Sequence, residues 1–319
     1  MAANEVNEGL GGGSRAPVAL FVYNRPWHTR KTVEALQANS GSAETDLVIF
    51  SDAPARPEAQ ESVRKVREYL ETIQGFRSVR VVERGENYGL ARSIVDGVSQ
   101  LCREYGRVIV LEDDLVTSPS FLNYMNDALT YYRDDERVIS IHGFMFPVEA
   151  ELPETFFLVD PGCWGWATWA RGWALYEPDG EKLLGQIKAQ GREREFNFSG
   201  SYDYMGMLEG QVAGENDSWA VRWYASAFLQ GKLTLYPGRS LVSNIGNDGS
   251  GRHGDDTERF QGDVSEDPVS VVEIPLMESA VARASLTRYL ESLQQSWLSR
   301  NWDSMLRKFI KACQSLAKR

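Results

Sequence analysis

Three consecutive acids, Glu112, Asp113 and Asp114, close the apolar run Val108-Ile-Val-Leu111. A short β-branched run of this kind reads as a strand buried on both faces of a parallel sheet. Carboxylates gathered at its end repel one another and lose hydration, which makes sense where something positive sits beside them. A hard divalent cation, Mn2+ or Mg2+, suits them. Such ions take oxygen ligands, often only one or two from protein, with phosphate oxygens completing the shell. A solvated acidic turn is the plainer alternative.

Three other stretches carry residue types able to do chemistry. Asp160-Pro-Gly-Cys-Trp-Gly-Trp-Ala-Thr-Trp-Ala-Arg-Gly-Trp173 holds four tryptophans and three glycines in fourteen residues. It suits either a wall for stacking sugars or a packed core corner, and mixed duty is the expectation. Gly214-Glu-Asn-Asp-Ser-Trp219 puts Glu215 and Asp217 just before an apolar helix, where an acid is most often an N-cap. Ser243 to His253 is a glycine-rich polar loop without the Gly-Lys-Ser/Thr of a phosphate-binding P-loop. It reads as a lid, with His253 as a metal or phosphate contact.

The elements that must position these residues alternate. Strands are expected at Pro17–Tyr23, Asp46–Phe50, Ser78–Glu83, Val108–Leu111 and Arg137–Ile141, with helices at 27–39, 57–73, 91–104 and 118–133. Ser118 is the expected cap of the last. Four strand–helix repeats predict a mostly parallel, doubly wound α/β sheet with right-handed crossovers. Its strand ends would bring Asn24-Arg25, Asp52, Arg84, Asn87 and the acids to one edge, where open α/β sheets bind ligands. Further on, strands are expected at Phe156–Val159 and Lys232–Tyr236, with a helix at Trp219–Leu229. The chain divides into a polar tail at 1–15, a first half at 16–145, a second half of the same domain at 146–277, and a helical extension at 278–319.

The 319 residues carry a net charge of −11, against the basic surface that nucleic-acid binding needs. Three scattered cysteines, Cys102, Cys163 and Cys313, show neither a disulfide framework nor zinc spacing, which fits a reducing compartment. No apolar run approaches the roughly 20 residues of a membrane span, and no signal peptide is apparent. The basic 300–319 stretch fits either packing on the domain or peripheral contact with a membrane surface.

Taken together, a strand ending in Asn24-Arg25-Pro26, a second ending in Ser51-Asp52, the loop Glu86-Asn-Tyr-Gly-Leu-Ala-Arg92 and the Glu112-Asp-Asp114 motif resemble GT-A fold glycosyltransferases. The likeness is to the N-acetylglucosaminyltransferase I-like branch and its bacterial relatives in the large inverting glycosyltransferase family 2, over residues 17–223. It implies a nucleotide-sugar donor, UDP-GlcNAc by default, and a glycan or lipid-linked glycan acceptor. By the same resemblance Arg25 and Asp52 contact uracil or ribose, and Asn87 and Arg92 line the donor site. Glu112 and Asp113 touch donor sugar or ribose, and Asp114 holds the metal. The Gly162–Trp166 turn, with Trp164, Gly165 and Trp166, lies beside donor and acceptor. Asp217 matches the catalytic base, with Glu215 or Asp203 as substitutes. A base half-buried among Trp164, Trp166 and Trp219 would have a raised pKa. Cytosolic location, near an inner membrane, follows from the relatives' role in surface polysaccharides.

Competing readings are a retaining GT-A transferase, a nucleotidyltransferase, a noncatalytic glycan-binding module and a metal-stabilised structural domain. The second is disfavoured because Tyr23-Asn-Arg-Pro26 has no glycine-rich phosphate loop.

Overall fold

The two strands that lead to Arg25 and to the three acids lie side by side at the middle of the sheet. In the computed structural model, which describes residues 15–246, 248 and 264–293, β1 (Val18–Val22) pairs in parallel with β2 (Asp46–Ser51) on one side. On its other side β1 pairs in parallel with β4 (Arg107–Glu112). β3 (Ser78–Glu83) extends the sheet beyond β2, again in parallel. Every residue of β1 and β2 is buried, because both faces of these strands are covered. Leu20, Ile49, Ile109 and Leu111 pack to one side with Val33, Leu36, Val66, Leu70 and Leu122. Ala19, Phe21, Val48, Phe50, Val108 and Val110 pack to the other with Ile94, Val98 and Leu101.

The helices between these strands follow from local chemistry. α1 (Pro26–Gln37) starts on a proline, whose fixed φ and missing N–H suit the first helical turn. α2 (Gln60–Leu70) buries Val63, Val66 and Leu70 at helical spacing. α3 (Gly89–Tyr105) stops at Gly106, whose φ of +75° closes the helix end directly ahead of β4. A Cβ on Gly97 of α3 would lie 2.7 Å from the Phe21 ring and 2.9 Å from the Phe50 ring, so a glycine lets this helix sit close on the sheet.

Beyond β4 the sheet stops being simply parallel. β6 (Val138–His142), reached through α4 (Phe121–Tyr131), runs in the same direction as β4 but does not touch it. Between them lies β8 (Trp166–Trp169), antiparallel to both. β9 (Leu233–Pro237) pairs in parallel with β6, and β7 (Thr155–Leu158) closes the edge antiparallel to β9. The order is β3-β2-β1-β4-β8-β6-β9-β7, a mostly parallel α/β sheet in which β7 and β8 are reversed. The tryptophan-rich stretch, expected as an aromatic wall or corner, thus supplies a central strand. The acid strand ends at Glu112, so the three acids close it as expected. β5 (Leu115–Thr117) is a separate strand that pairs antiparallel with β10 (Val242–Asn244). Ser118 does not cap α4: Ser120 holds the cap position, and the Ser118 hydroxyl accepts from the Ser120 amide at 3.3 Å.

The second half adds α5 (Ala170–Trp173), α6 (Gly180–Ala189), α7 (Glu193–Phe196), α8 (Tyr204–Val212) and α9 (Trp219–Leu229). α6, α8 and α9 share a core of Leu183, Ile187, Leu208, Val221 and Phe228. A last helix over 280–293 packs Ala282, Leu286 and Leu290 against Phe156, Leu158 and Tyr236. Among the described residues no helix is long and apolar enough to cross a membrane. The basic C-terminal stretch and His253 lie outside the described residues.

Candidate active site at the carboxyl ends of β1 and β4

The strand order places a topological switch point between β1 and β4. From β1 the chain winds outward through β2 and β3, then returns to β4 on the other side of β1. The crevice at the carboxyl ends of two such strands is where open α/β sheets receive ligands. Here it holds Arg25, three residues beyond β1, and Glu112, Asp113 and Asp114 at the end of β4.

Arg25 ties the acids together. One guanidinium nitrogen, Nη2, donates to Asp113 Oδ1 and to Asp114 Oδ2, the latter at 2.8 Å. The side chains are 20%, 6% and 13% exposed respectively. Burial opposes charge on Arg25, but Asp113 and Asp114 outweigh it and hold the guanidinium protonated above its usual range. Burial, reinforced by the neighbouring Asp114 and Asp113, pushes Glu112 up to about 8. Burial also pushes Asp113 up to about 6, against the pull of Arg25. The backbone here is fixed: Thr32 Oγ1 donates to the Asp113 carbonyl at 2.8 Å and the Ile245 amide to the Asp114 carbonyl at 2.8 Å. Gly246 lies so close to Asp114 Oδ2 that a Cβ there would overlap it.

These contacts decide how the described residues stand toward a divalent cation. As arranged, they do not fit one. The carboxylates of Asp113 and Asp114 already face a guanidinium, and no group of three or more His, Cys, Asp or Glu converges among the described residues.

The neighbouring strand ends carry a second group. Asp52, just past β2, accepts from the amides of Ala53, Tyr88 and Gly89 at 2.9, 2.8 and 2.9 Å, and from Asn87 Nδ2 at 3.0 Å. Its carboxylate therefore anchors the N-terminus of α3, where an anion is favoured. Expected as a uracil or ribose contact, Asp52 is held by these donors within the chain. Arg92 pairs with Glu86 at 3.0 Å and stacks over the Tyr88 ring at 3.5 Å, with Arg84 over the same ring at 4.5 Å.

The glycine–aromatic turn reaches the acids through strand register. Trp166 pairs with Val110, two residues before Glu112. Gly162 and Gly165 both have positive φ, +52° and +66°, and the Gly165 carbonyl accepts from the Gly143 amide at 2.7 Å. Trp164 is half-buried against Phe144. Trp166 has no exposed surface, so its expected substrate contact gives way to a core role. It packs on Trp173, Trp219 and Trp223 at 5.7, 5.4 and 6.1 Å.

Asp217 departs from its expected surroundings. Its side chain is 67% exposed and pairs with Arg222 at 3.5 Å, rather than lying among the tryptophans. It is not the cap of α9; the Ser218 hydroxyl is, accepting from the Val221 amide at 3.2 Å. Asp203 caps α8 through the Gly206 amide at 2.9 Å, and Glu215 is exposed.

Three groups near the turn escaped the sequence reading. Asp160 accepts from the Gly162 amide at 3.0 Å and the Tyr204 hydroxyl at 3.4 Å, and burial raises its carboxyl pKa. Burial, then the charges of Glu112, Asp160 and Asp114, raise the Cys163 thiol. His142, at the end of β6, accepts from the Trp164 amide at 3.2 Å through Nε2. A polar residue at the end of a predicted strand was the available signal for His142. Nothing local marks Asp160.

Burial pushes the His142 imidazole down to about 3. In the unfolded chain it titrates near 6.5. Its contribution to stability is thus complete above about pH 6.5 and is lost progressively as pH falls toward 3. Between pH 6 and 4 the unfolding free energy should fall by up to about 1.4 kcal/mol per pH unit more than in His142→Gln. Urea titrations at several pH values read the slope directly. Equal slopes would mean that the folded protein protonates His142 freely.

No protein-family model and no curated protein matches the chain. Among solved structures it is similar to the mannosyltransferase PcManGT from Pyrobaculum calidifontis in complex with GDP-Man and Mn2+. Identity is 16% over 40% of this chain and 35% of that one, with a TM-score of 0.30, so the chain spans about a third of that enzyme. It is also similar to UDP-glucose pyrophosphorylase complexed with UDP-glucose, at 11% identity over 72% of this chain and 94% of that one, with a TM-score of 0.35. At these levels neither neighbour decides the chemistry, which has to be read from the site.

Proposed function

We propose that this chain is a glycosyltransferase that moves a sugar from a nucleotide-diphosphate donor, UDP-GlcNAc by default, to a hydroxyl of a glycan or lipid-linked glycan. The observation that carries the proposal is the pairing of Arg25 with Asp113 and Asp114 in the β1/β4 crevice. A guanidinium there is a ready partner for phosphate oxygens. Preorganised positive charge stabilises a departing diphosphate where its charge develops. Asn87 and Arg92 flank the nucleotide, Glu112 and Asp113 meet ribose or donor sugar, and Trp164 with Gly165 borders the acceptor.

Inversion needs one general base opposite the leaving group, and Asp217 is the residue proposed. α9 is linked to the acid strand through its first residue, since Trp219 stacks on Trp166 and Trp166 pairs with Val110 of β4. An incoming acceptor would cover the exposed Asp217 carboxylate. Peripheral membrane contact through the basic C-terminal stretch, in a cytoplasmic enzyme, completes the proposal.

The test is calorimetry with UDP-, GDP-, CMP- and dTDP-sugars, with and without Mn2+, on the wild type and Asp114→Ala. One nucleotide class should bind the wild type, with the variant losing about tenfold or more in affinity. If no nucleotide sugar binds under either condition, the proposal fails, and the tryptophan-rich half should be tried as a glycan-binding surface.

A further inference from the structure

The cation that the acid motif touches belongs to the chain itself. Arg25 is boxed in by three elements: α1 behind it, the end of β4 beside it, and Gly246 against both Arg25 Nη1 and Asp114 Oδ2. Its backbone is pinned, since the Arg25 carbonyl accepts from the Thr29 amide at 3.0 Å and from Thr29 Oγ1 at 2.9 Å. Any movement is therefore a swing of the side chain alone.

We propose that Arg25 and a divalent cation are mutually exclusive occupants of the Asp113–Asp114 position, so that the free protein excludes the metal ion and admits it only when a phosphorylated ligand draws Arg25 away. A doubly charged ion on the same oxygens would stand beside a buried guanidinium, and in a poorly screened site that repulsion is large. It would also strand Arg25 without a partner, the costly way to break a buried pair. A diphosphate removes both penalties, because it offers the guanidinium a bidentate partner of its own. The inference deepens the nucleotide-sugar reading and rests on it for the identity of the displacing ligand. The exclusion itself concerns the protein and the metal alone.

The experiment uses Mn2+ alone as the probe, followed by electron paramagnetic resonance and by thermal unfolding. Its subjects are the wild-type chain, Arg25→Gln, Arg25→Lys and the double variant Arg25→Gln/Asp114→Asn. Wild type should bind Mn2+ weakly and show no thermal shift. Arg25→Gln should melt lower, regain stability on adding Mn2+, lose it again with chelator, and bind Mn2+ about tenfold or more tightly than wild type. The double variant should lose that gain. Arg25→Lys keeps the charge without the fork and should gain less; it stands in if Arg25→Gln does not fold without metal. Wild type binding Mn2+ alone as tightly as the Arg25 variants would overturn the inference, as would variants that gain nothing. Adding UDP with Mn2+ to the wild type should raise Mn2+ affinity. Failure of UDP and every donor to bind would instead defeat the transferase reading, while the comparison with metal alone would stand.

Discussion

Asp217→Asn should leave donor binding unchanged and lower turnover by about 10²–10⁴-fold, the usual contribution of a positioned general base. Asparagine keeps the shape and can still meet Arg222, but it cannot take a proton from an acceptor hydroxyl. The fold should survive, because Asp217 is largely exposed and Ser218, not Asp217, caps α9. Paired calorimetry and single-turnover assays separate the two quantities. The informative companion is Asp160→Asn, which alters a half-buried acid whose side chain accepts from the Gly162 amide and the Tyr204 hydroxyl. If Asp160→Asn stops turnover and Asp217→Asn does not, the base is Asp160 and the acceptor enters from the side of the Gly162 turn. If both variants turn over normally, no carboxylate base has been found.

Trp166→Ala should cost about 3–5 kcal/mol of stability, the range for deleting a fully buried tryptophan. The ring is enclosed by three other indoles, and in β8 it stands in register with Val110. Trp166→Phe should cost far less. It keeps an aromatic ring and removes an indole N–H that has no partner among the described residues. Urea unfolding of the three proteins measures both differences. A loss below about 1 kcal/mol for Trp166→Ala would show that the indole cluster collapses into the vacated space.

The first half of the chain was legible because its signals agree. β1, β2 and β4 are continuous apolar runs, and the helices between them have clear periodicity. Pro26 starts α1 and Gly106 ends α3. The carboxyl ends of those strands were therefore correctly brought to one edge. β8 was hidden because it is four residues long, fully buried and runs straight from Gly165 into α5, so it shows neither alternation nor length. The pairing of Arg25 with Asp113 joins residues 88 apart in sequence, and no local pattern encodes such a contact. Asp52 and Asp217 show the same limit from the other side. Asp52 follows a strand and Asp217 precedes a helix, yet the first is sunk among four donors and the second stands in solvent beside Arg222.

The position of β8 sets the order in which the chain can be finished. As the protein emerges during synthesis, β4 is made some fifty residues before β8, and β6 comes in between. Until residues 166–169 arrive, β4 and β6 each have an apolar edge with unpaired amides and carbonyls, the kind of template on which other chains add. The gap closes only by inserting a late segment between two earlier ones, a non-local step that is slow to fold. β5 waits longer still, since its partner β10 follows it by more than a hundred residues. A nascent or truncated chain that stops short of β8 would therefore depend on chaperones to stay monomeric. The full chain passes that hazard only when its tryptophan-rich strand slides home.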